Sequence, residues 1–316
     1  MLTVHNASPT RASQGTGCAF HTAVVRGILL QTMSADAPII HHISDTARWA
    51  AVYRARETER PDAVFRDPYA RRLAGERGEE IARSQPFHEQ NAWSWVARTY
   101  NFDALITGQI QQGVDMVINL AAGLDARPYR MTLPASLQWI EVDHPEILDY
   151  KEEILRGEKP NCLLERVRLD LADVEARRLL FHSLAVKATR ALIISEGLLI
   201  YLSNYEVAAL AQDLARPPAF QWWALDVVSP GLLKMIQQKS TADFSTGSVP
   251  LKFAPENGPE FFHQYGWAPL EVLSTLKTAA KLKRLTLRLR FFSLFPEDPS
   301  RMGGRPWAGA CLMEKK

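Results

Sequence analysis

Four residues in the middle of the chain share a setting. Gly123, Asp143, Asp170 and Glu196 each come just after a segment that reads as a short strand. Val114, Met116, Val117, Ile118 and Leu120 precede the turn Ala121-Ala122-Gly123, and Leu137–Val142 precedes Asp143. Glu165–Leu169 precedes Asp170, and Ala191–Ser195 precedes Glu196. A glycine behind a buried strand lets a ligand approach the backbone. An acid about 20 residues further on can accept two hydrogen bonds from a ribose diol. The chemistry these residues suit is the holding of a nucleoside.

The turn also restricts which nucleoside. A pyrophosphate cradle needs several glycines in a G-x-G-x-x-G pattern, so that backbone N–H groups can meet the phosphates. Here one glycine is followed by Leu124-Asp125-Ala126-Arg127. An acid at the helix start repels phosphate and suits a ligand with a ribose, a positive charge and no phosphate. S-adenosylmethionine fits that description. Asp125 stands where an N-cap belongs, and Asp125 with Arg127 is read as a cap and a mutual ion pair. Glu196 ends an apolar strand, where a carboxylate is costly unless it meets a partner. The ammonium or sulfonium of the ligand would serve, with Tyr201 one helical turn away as a substrate-binding candidate. No spacing of His, Cys, Asp or Glu reads as a metal site.

Strands and helices alternate from Val114 onward, and this alternation positions these residues. Strand Val114–Leu120 leads to helix Asp125–Arg130, Leu137–Val142 to Pro145–Arg156, and Glu165–Leu169 to Asp173–Leu184. Ala191–Ser195 leads to Asn204–Ala215 and then to strand Phe220–Val228. The pattern predicts an α/β fold with a mostly parallel, doubly wound sheet covered by helices on both faces. Its right-handed crossovers gather the loops at the strands' C-terminal ends on one edge, where ligands bind. Residues 41–112 are expected to form an all-helical cap, and 113–316 the binding domain. The Pro- and Gly-bearing segment 229–262 reads as an insertion or lid. Leu270–Leu282 is expected to be helical. Arg288–Leu294 and Gly309–Met313 are expected as closing strands, with an antiparallel pairing. Residues 1–40, rich in Ser, Thr, Ala and Gly, are expected to be a disordered extension, with Met33 a second possible start.

A net charge of +2, with no basic run interleaved with aromatics, argues against a nucleic-acid partner. The longest apolar run, Ala191–Leu202, is broken by Ser195-Glu196-Gly197 and is too short to span a bilayer, so no membrane partner is expected. Cys18, Cys162 and Cys311 are scattered and odd in number, a poor disulfide framework that points to a reducing cytoplasm.

NLAAGLDARPYRM, IEVDHPEILDYKEEIL, RLDLAD and ISEGLLIYLS together resemble the leucine carboxyl methyltransferase family. This is a branch of the class I, Rossmann-like S-adenosylmethionine-dependent methyltransferases that includes bacterial O-methyltransferases of secondary metabolism. TARWAAVYRARETERPDAVFRDPYARRLAG and Arg98-Thr99 resemble the family's N-terminal part, so the similarity runs from about Ser44 to the C-terminus. The resemblance implies that Asp143 grips both ribose hydroxyls and that Asp170 contacts the adenine amino group. It implies that Leu171 packs the adenine ring and offers its backbone N–H, and that Gly123 admits the methionine portion. Arg98 would pair with the methionine carboxylate, a contact that suits a guanidinium fork. Arg54 would also reach the pocket.

The implied activity is methyl transfer to a carboxylate or hydroxyl of a small molecule. A sulfonium methyl is already activated, so the protein mainly positions a nucleophile and excludes water. A hydroxyl acceptor would benefit from a base. His88, His144, His182 and His263 are candidates, and the sequence singles out none. Trp93, Trp95, Phe261, Phe262 and Tyr265 could wall an acceptor pocket. Three other readings stay open: methyl esterification of a protein C-terminus, S-adenosylmethionine binding without turnover, and a nicotinamide-dependent oxidoreductase. The missing G-x-G-x-x-G weakens the last.

Overall fold

A computed structural model describes residues 43–239, 250–301 and 303–316. The expected disordered extension and the middle of the expected lid lie outside the described residues.

Four helices precede the first strand: α1 (Ile43–Thr58), α2 (Ala70–Ser84), α3 (Pro86–Gln90) and α4 (Trp93–Gln111). The alternating region then runs β1 (Met116–Leu120), α5 (Arg127–Arg130), β2 (Gln138–Asp143), α6 (Pro145–Ile154), β3 (Leu163–Arg168) and α7 (Val174–Lys187). It continues through β4 (Ala191–Ser195), a 3₁₀ turn (Leu199–Tyr201), α8 (Asn204–Ala215) and β5 (Phe220–Val228). After α9 (Pro230–Lys239) and a 3₁₀ segment (Gly258–Tyr265) come β6 (Trp267–Ser274), α10 (Thr275–Lys281), α11 (Leu287–Phe292) and β7 (Ala308–Lys315).

The seven strands lie in the order β3-β2-β1-β4-β5-β7-β6. β1 to β5 are parallel, and β7 runs antiparallel to both of its neighbours. This is the expected mostly parallel sheet with an antiparallel closing strand.

Side-chain alternation assigns the two faces. Met116, Ile118 and Leu120 point with Ile140, Val142, Ile193 and Trp223 toward α7 and α8. Val117, Trp139, Leu192 and Trp222 point the other way, toward Phe102, Leu105 and Ile106 of α4. α4 is therefore a sheet-covering helix, and it carries Arg98 to the strand ends. α1 and α2 pack with α5 and α6 through Trp49, Val52, Leu73, Tyr129 and Leu148. α8 opens on a capping box in which Ser203 and Glu206 satisfy each other's backbone N–H groups.

Two expectations fail near the C-terminus. Leu270–Ser274, expected to be helical, belongs to β6, which pairs with β7 from Trp267 to Ser274. Only Thr275–Lys281 is helix, with Ser274 capping it through the Lys277 N–H. Arg288–Leu294, expected as a strand, falls largely within α11, whose N-cap Thr286 accepts from the Leu289 N–H. The alternating Leu-Arg-Leu-Arg of 287–290 looks like a strand with one wet face. In the structure all of its leucines stay near the surface, and none is buried.

Candidate active site

A cavity of about 1160 Å³ opens at the C-terminal edge of the sheet. It lies where the strand order reverses between β1 and β4, the position at which open α/β sheets bind ligands. All seven residues singled out from the sequence line it: Arg98, Gly123, Asp143, Asp170, Leu171, Glu196 and Tyr201.

The turn after β1 is built for close approach. Ala121 sits at φ +51°, a left-handed conformation that costs a side-chain-bearing residue about 1–2 kcal/mol. Gly123 follows at φ +48°, and a Cβ there would lie 3.2 Å from the Ala47 Cβ on α1. The Gly123 N–H donates to Asp143 Oδ2 at 2.6 Å, and the His144 N–H donates to Oδ1 at 2.7 Å. Burial pushes the Asp143 carboxyl upward from its ordinary value, against the pull of these two N–H donors. Each oxygen keeps acceptor capacity beyond its one backbone partner.

Asp170 is more exposed. Its carboxylate accepts from the Ala172 N–H at 2.8 Å, while the cap of α7 is Asp173, which accepts from the Ala176 N–H. The imidazole Nε2 of His144 stands 3.9 Å from Asp170 Oδ1. Leu171 packs against the core, and its carbonyl accepts from Arg177 Nη1.

Glu196 has partners in the protein itself. Arg98 Nε lies 3.1 Å from its Oε1, and Arg127 Nη2 lies 2.8 Å from its Oε2. The expected ligand cation is therefore not what satisfies this carboxylate in the chain alone. Arg98 also reaches Asp226 Oδ2 at 3.4 Å and lies over the Trp95 ring at 4.7 Å. Asp226, on β5, accepts from the Gly197 N–H at 2.7 Å, and burial pushes its carboxyl up. Gly197 has φ +71°, and a Cβ there would meet Arg98 Nη1 at 3.2 Å. Tyr201 hydrogen-bonds Thr46 of α1, and burial raises its phenol.

Behind this layer lies a buried ion network. Arg127 Nε meets Asp103 Oδ1 at 2.7 Å, and its Nη1 meets Asp125 Oδ2 at 2.9 Å. Arg130 grips both oxygens of Asp103, tying α5 to α4. Burial works to raise the Asp125 carboxyl, but Arg127 and neighbouring cations overcome it and hold Asp125 well below the usual range. The expected Asp125–Arg127 pair is present. The expected cap is not, because the residue before α5 is Ala126 and Asp125 instead accepts from the Arg127 N–H. Arg54 donates to the Leu124 carbonyl and pairs with Asp67, and it lines the cavity as expected.

Asp226, Asp103 and Arg130 were missed from the sequence. Asp226 carried the signal that marked Glu196, an acid within an apolar strand, here Phe220–Val228. Asp103 and Arg130 carried none, since charges on helices are usually solvated.

Much of the cavity lining away from the strand ends is apolar. Phe87, Trp93, Trp95, Leu276, Phe292 and Phe295 belong to it, with Leu232, Met235, Ile236 and Leu251 from the expected lid segment. Phe261, Phe262 and Tyr265 are not part of that wall. They pack with Phe253, Trp223 and Trp267 in the core beneath β6. His88 and His144 line the cavity, whereas His182 and His263 do not, and His263 pairs with Glu260. Burial lowers the His88 imidazole to about 4. Among the described residues, no cluster of His, Cys, Asp or Glu could hold a metal ion, and no helix is long and apolar enough to cross a membrane.

Residues 47–215 match the family model described as leucine carboxyl methyltransferase. A Mycobacteroides abscessus protein whose name proposes an S-adenosyl-L-methionine-dependent methyltransferase is 29% identical over 278 residues, covering 78% of this chain and 89% of that one. A protein of Mycobacterium sp. (strain KMS) with the same name is 30% identical over 250 residues, covering 72% and 83%. The crystal structure of a DUF574 family protein from Streptomyces avermitilis superposes with a TM-score of 0.56 at 12% identity. It covers 87% of this chain and 98% of that one, and its likeness bears on the fold alone.

Proposed function

The chain belongs to the leucine carboxyl methyltransferase family, and from that premise we propose that it moves a methyl group from S-adenosylmethionine to a carboxylate or hydroxyl oxygen of a small, largely apolar molecule. The observation that carries this reading is the division of one cavity into two linings. The inner lining, at the ends of β1, β2 and β4, is polar and charged. The lining away from these strand ends is mainly aromatic and aliphatic.

The inner residues fit the nucleoside. Asp143 presents two oriented carboxylate oxygens that would accept the ribose hydroxyls. Gly123 and Gly197 leave room that a side chain would take, and Asp170 with Leu171 would meet the adenine. Arg98, braced by Glu196 and Asp226, would offer donors to the methionine carboxylate. When bound, the cofactor supplies an already activated methyl on a cationic sulfur. The chain's own share is to orient the acceptor oxygen, exclude water with the outer apolar wall, and surround the site with fixed charges. A carboxylate acceptor needs no base. For a hydroxyl, the uncharged imidazole of His88 is one lining group able to take a proton, and His144 and the carboxylate of Asp226 also line the cavity.

Calorimetric titration with S-adenosylmethionine, S-adenosylhomocysteine and NAD tests the cofactor half. Micromolar binding of both adenosyl ligands with no heat from NAD supports it, and the reverse overturns it. Incubation with labelled S-adenosylmethionine and a panel of lipophilic acids, phenols, amines and peptides tests the acceptor half. Label confined to amines or peptide C-termini would overturn it.

A further inference from the structure

The segment carrying α10 and α11 has an unusual surface. Between residues 272 and 296 the sequence holds six Lys or Arg and no Asp or Glu. Two of the six are occupied: Lys277 stands 3.9 Å from Glu297, and Arg284 pairs with Glu57 and Asp62, which fastens the segment to the α1 region. Lys281, Lys283, Arg288 and Arg290 are exposed and form no ion pair among the described residues. Large apolar side chains stand out among them: Leu287 is 85% exposed, Leu294 77% and Phe291 60%. The Phe291 ring touches those of Phe292 and Phe295, so the aromatics form one patch rather than scattered contacts. An exposed apolar cluster of this kind marks an interaction surface. Phe292 and Phe295 also line the outer cavity, so the patch and the cavity mouth are continuous.

We propose that this face docks on an anionic lipid surface, with Leu287, Phe291 and Leu294 entering the headgroup boundary and these four cations resting over lipid phosphates. The charge favours this occupant. A second copy would bring the same cations together, whereas an anionic leaflet neutralises them. Insertion is shallow and interfacial, in keeping with the lack of a membrane-crossing helix among the described residues. The shared rim of Phe292 and Phe295 then gives a lipid-dissolved acceptor a dry path to the cavity. That last consequence rests on the methyl-transfer reading, while the docking does not.

The test is flotation of the full chain with phosphatidylcholine vesicles, with and without phosphatidylglycerol, alongside sedimentation velocity and S-adenosylhomocysteine titration. Binding is expected only with the anionic lipid. It should weaken at least about tenfold as salt rises from about 0.1 M to about 1 M, where the screening length falls from about 10 Å to about 3 Å. The pair Phe291→Ser with Leu294→Ser, and separately Arg288→Gln with Arg290→Gln, should each cut binding about tenfold. Both should leave S-adenosylhomocysteine affinity unchanged, since none of the four residues lines the cavity. Equal binding to neutral vesicles overturns the proposal, as does no flotation at low salt. A dimer that the Phe291/Leu294 pair disperses would also overturn it. Loss of S-adenosylhomocysteine binding in the unaltered chain would instead count against the methyl-transfer reading.

Discussion

The backbone nitrogen of Gly123 lies 2.6 Å from Oδ2 of Asp143, twenty residues later in the chain. That single hydrogen bond ties the turn after β1 to the end of β2 and aims the carboxylate. With Oδ1 held by the His144 N–H, both oxygens of the carboxylate are fixed in direction. Asp143→Ala is expected to weaken S-adenosylhomocysteine binding at least about tenfold, because a hydrogen bond to a charged group contributes about 1.5–3 kcal/mol. Calorimetry on a variant whose circular dichroism matches the parent is the check. An unaltered affinity would sink the ribose assignment.

The same carboxylate makes binding sensitive to pH. Burial raises Asp143 in the free protein, and ribose donors would favour its charged form and lower it in the complex. The complex then carries fewer protons than the free protein. Affinity should be flat at neutral pH and fall as pH drops through the raised free-state value, sooner than an ordinary Asp would dictate. Titrations from neutral pH down to about pH 4 should show this loss, accompanied by proton release on binding. The loss should be absent in Asp143→Ala. A pH dependence of equal size in that variant would assign the effect elsewhere.

Much of the sheet was readable because its signal is local. β4, α8 and β5 match their expected bounds, since β4 and β5 are apolar runs bounded by turn residues and α8 opens on the Ser203–Glu206 capping box. Asp143 and Glu196 stood out because a charge ending such a run needs a reason. The partners of Glu196 were not readable. Arg98 and Arg127 come from α4 and α5, and only the fold brings them within 3.1 Å and 2.8 Å of one carboxylate. Leu287–Arg290 misled for a physical reason as well. Alternation implies a strand only when one face is buried, and both faces here stay near solvent. Phe261 and Phe262 misled because aromatic content does not tell a core from a cavity wall.

Arg98, Glu196 and Asp226 should behave as one unit. Arg98→Met leaves two carboxylates near each other without their shared cation. It is expected to lower stability by about 1–3 kcal/mol and to weaken cofactor binding. Adding Asp226→Asn should recover part of the stability, with a coupling of about 0.5–3 kcal/mol, and none of the binding. Urea denaturation and calorimetry on the two single variants and the double variant measure both. Strict additivity of the two changes would show that Asp226 does not brace Arg98.

Arg127 is more deeply placed, with its side chain only 3% exposed and three carboxylates around it. Arg127→Met takes the cation from Asp125 and leaves Asp103 with Arg130 and Glu196 with Arg98 in a partly buried site, and the expected loss is about 3 kcal/mol. Arg127→Lys should fare little better, since one ammonium cannot meet three acids held by a planar fork. A variant whose thermal midpoint stays within a degree or two of the parent would mean that water, rather than the guanidinium, satisfies these acids.

His88 should make stability fall on acidification. It sits edge-on to Trp49 with ring centroids 4.6 Å apart and against Phe87 at 5.2 Å, and burial lowers it to about 4. Its unfolded value is about 6.5, so between these two values the unfolded chain holds the extra proton. Stability from this residue is therefore complete above about pH 6.5 and is lost as pH falls toward about 4, by about 3 kcal/mol in all at 1.36 kcal/mol per unit. His88→Phe keeps a ring in the aromatic nest and removes the titration. Urea denaturation at about pH 5 and about pH 7 should show a smaller difference in the variant than in the parent. Equal differences would mean that His88 titrates alike in the folded and the unfolded chain, so that burial does not hold its imidazole uncharged.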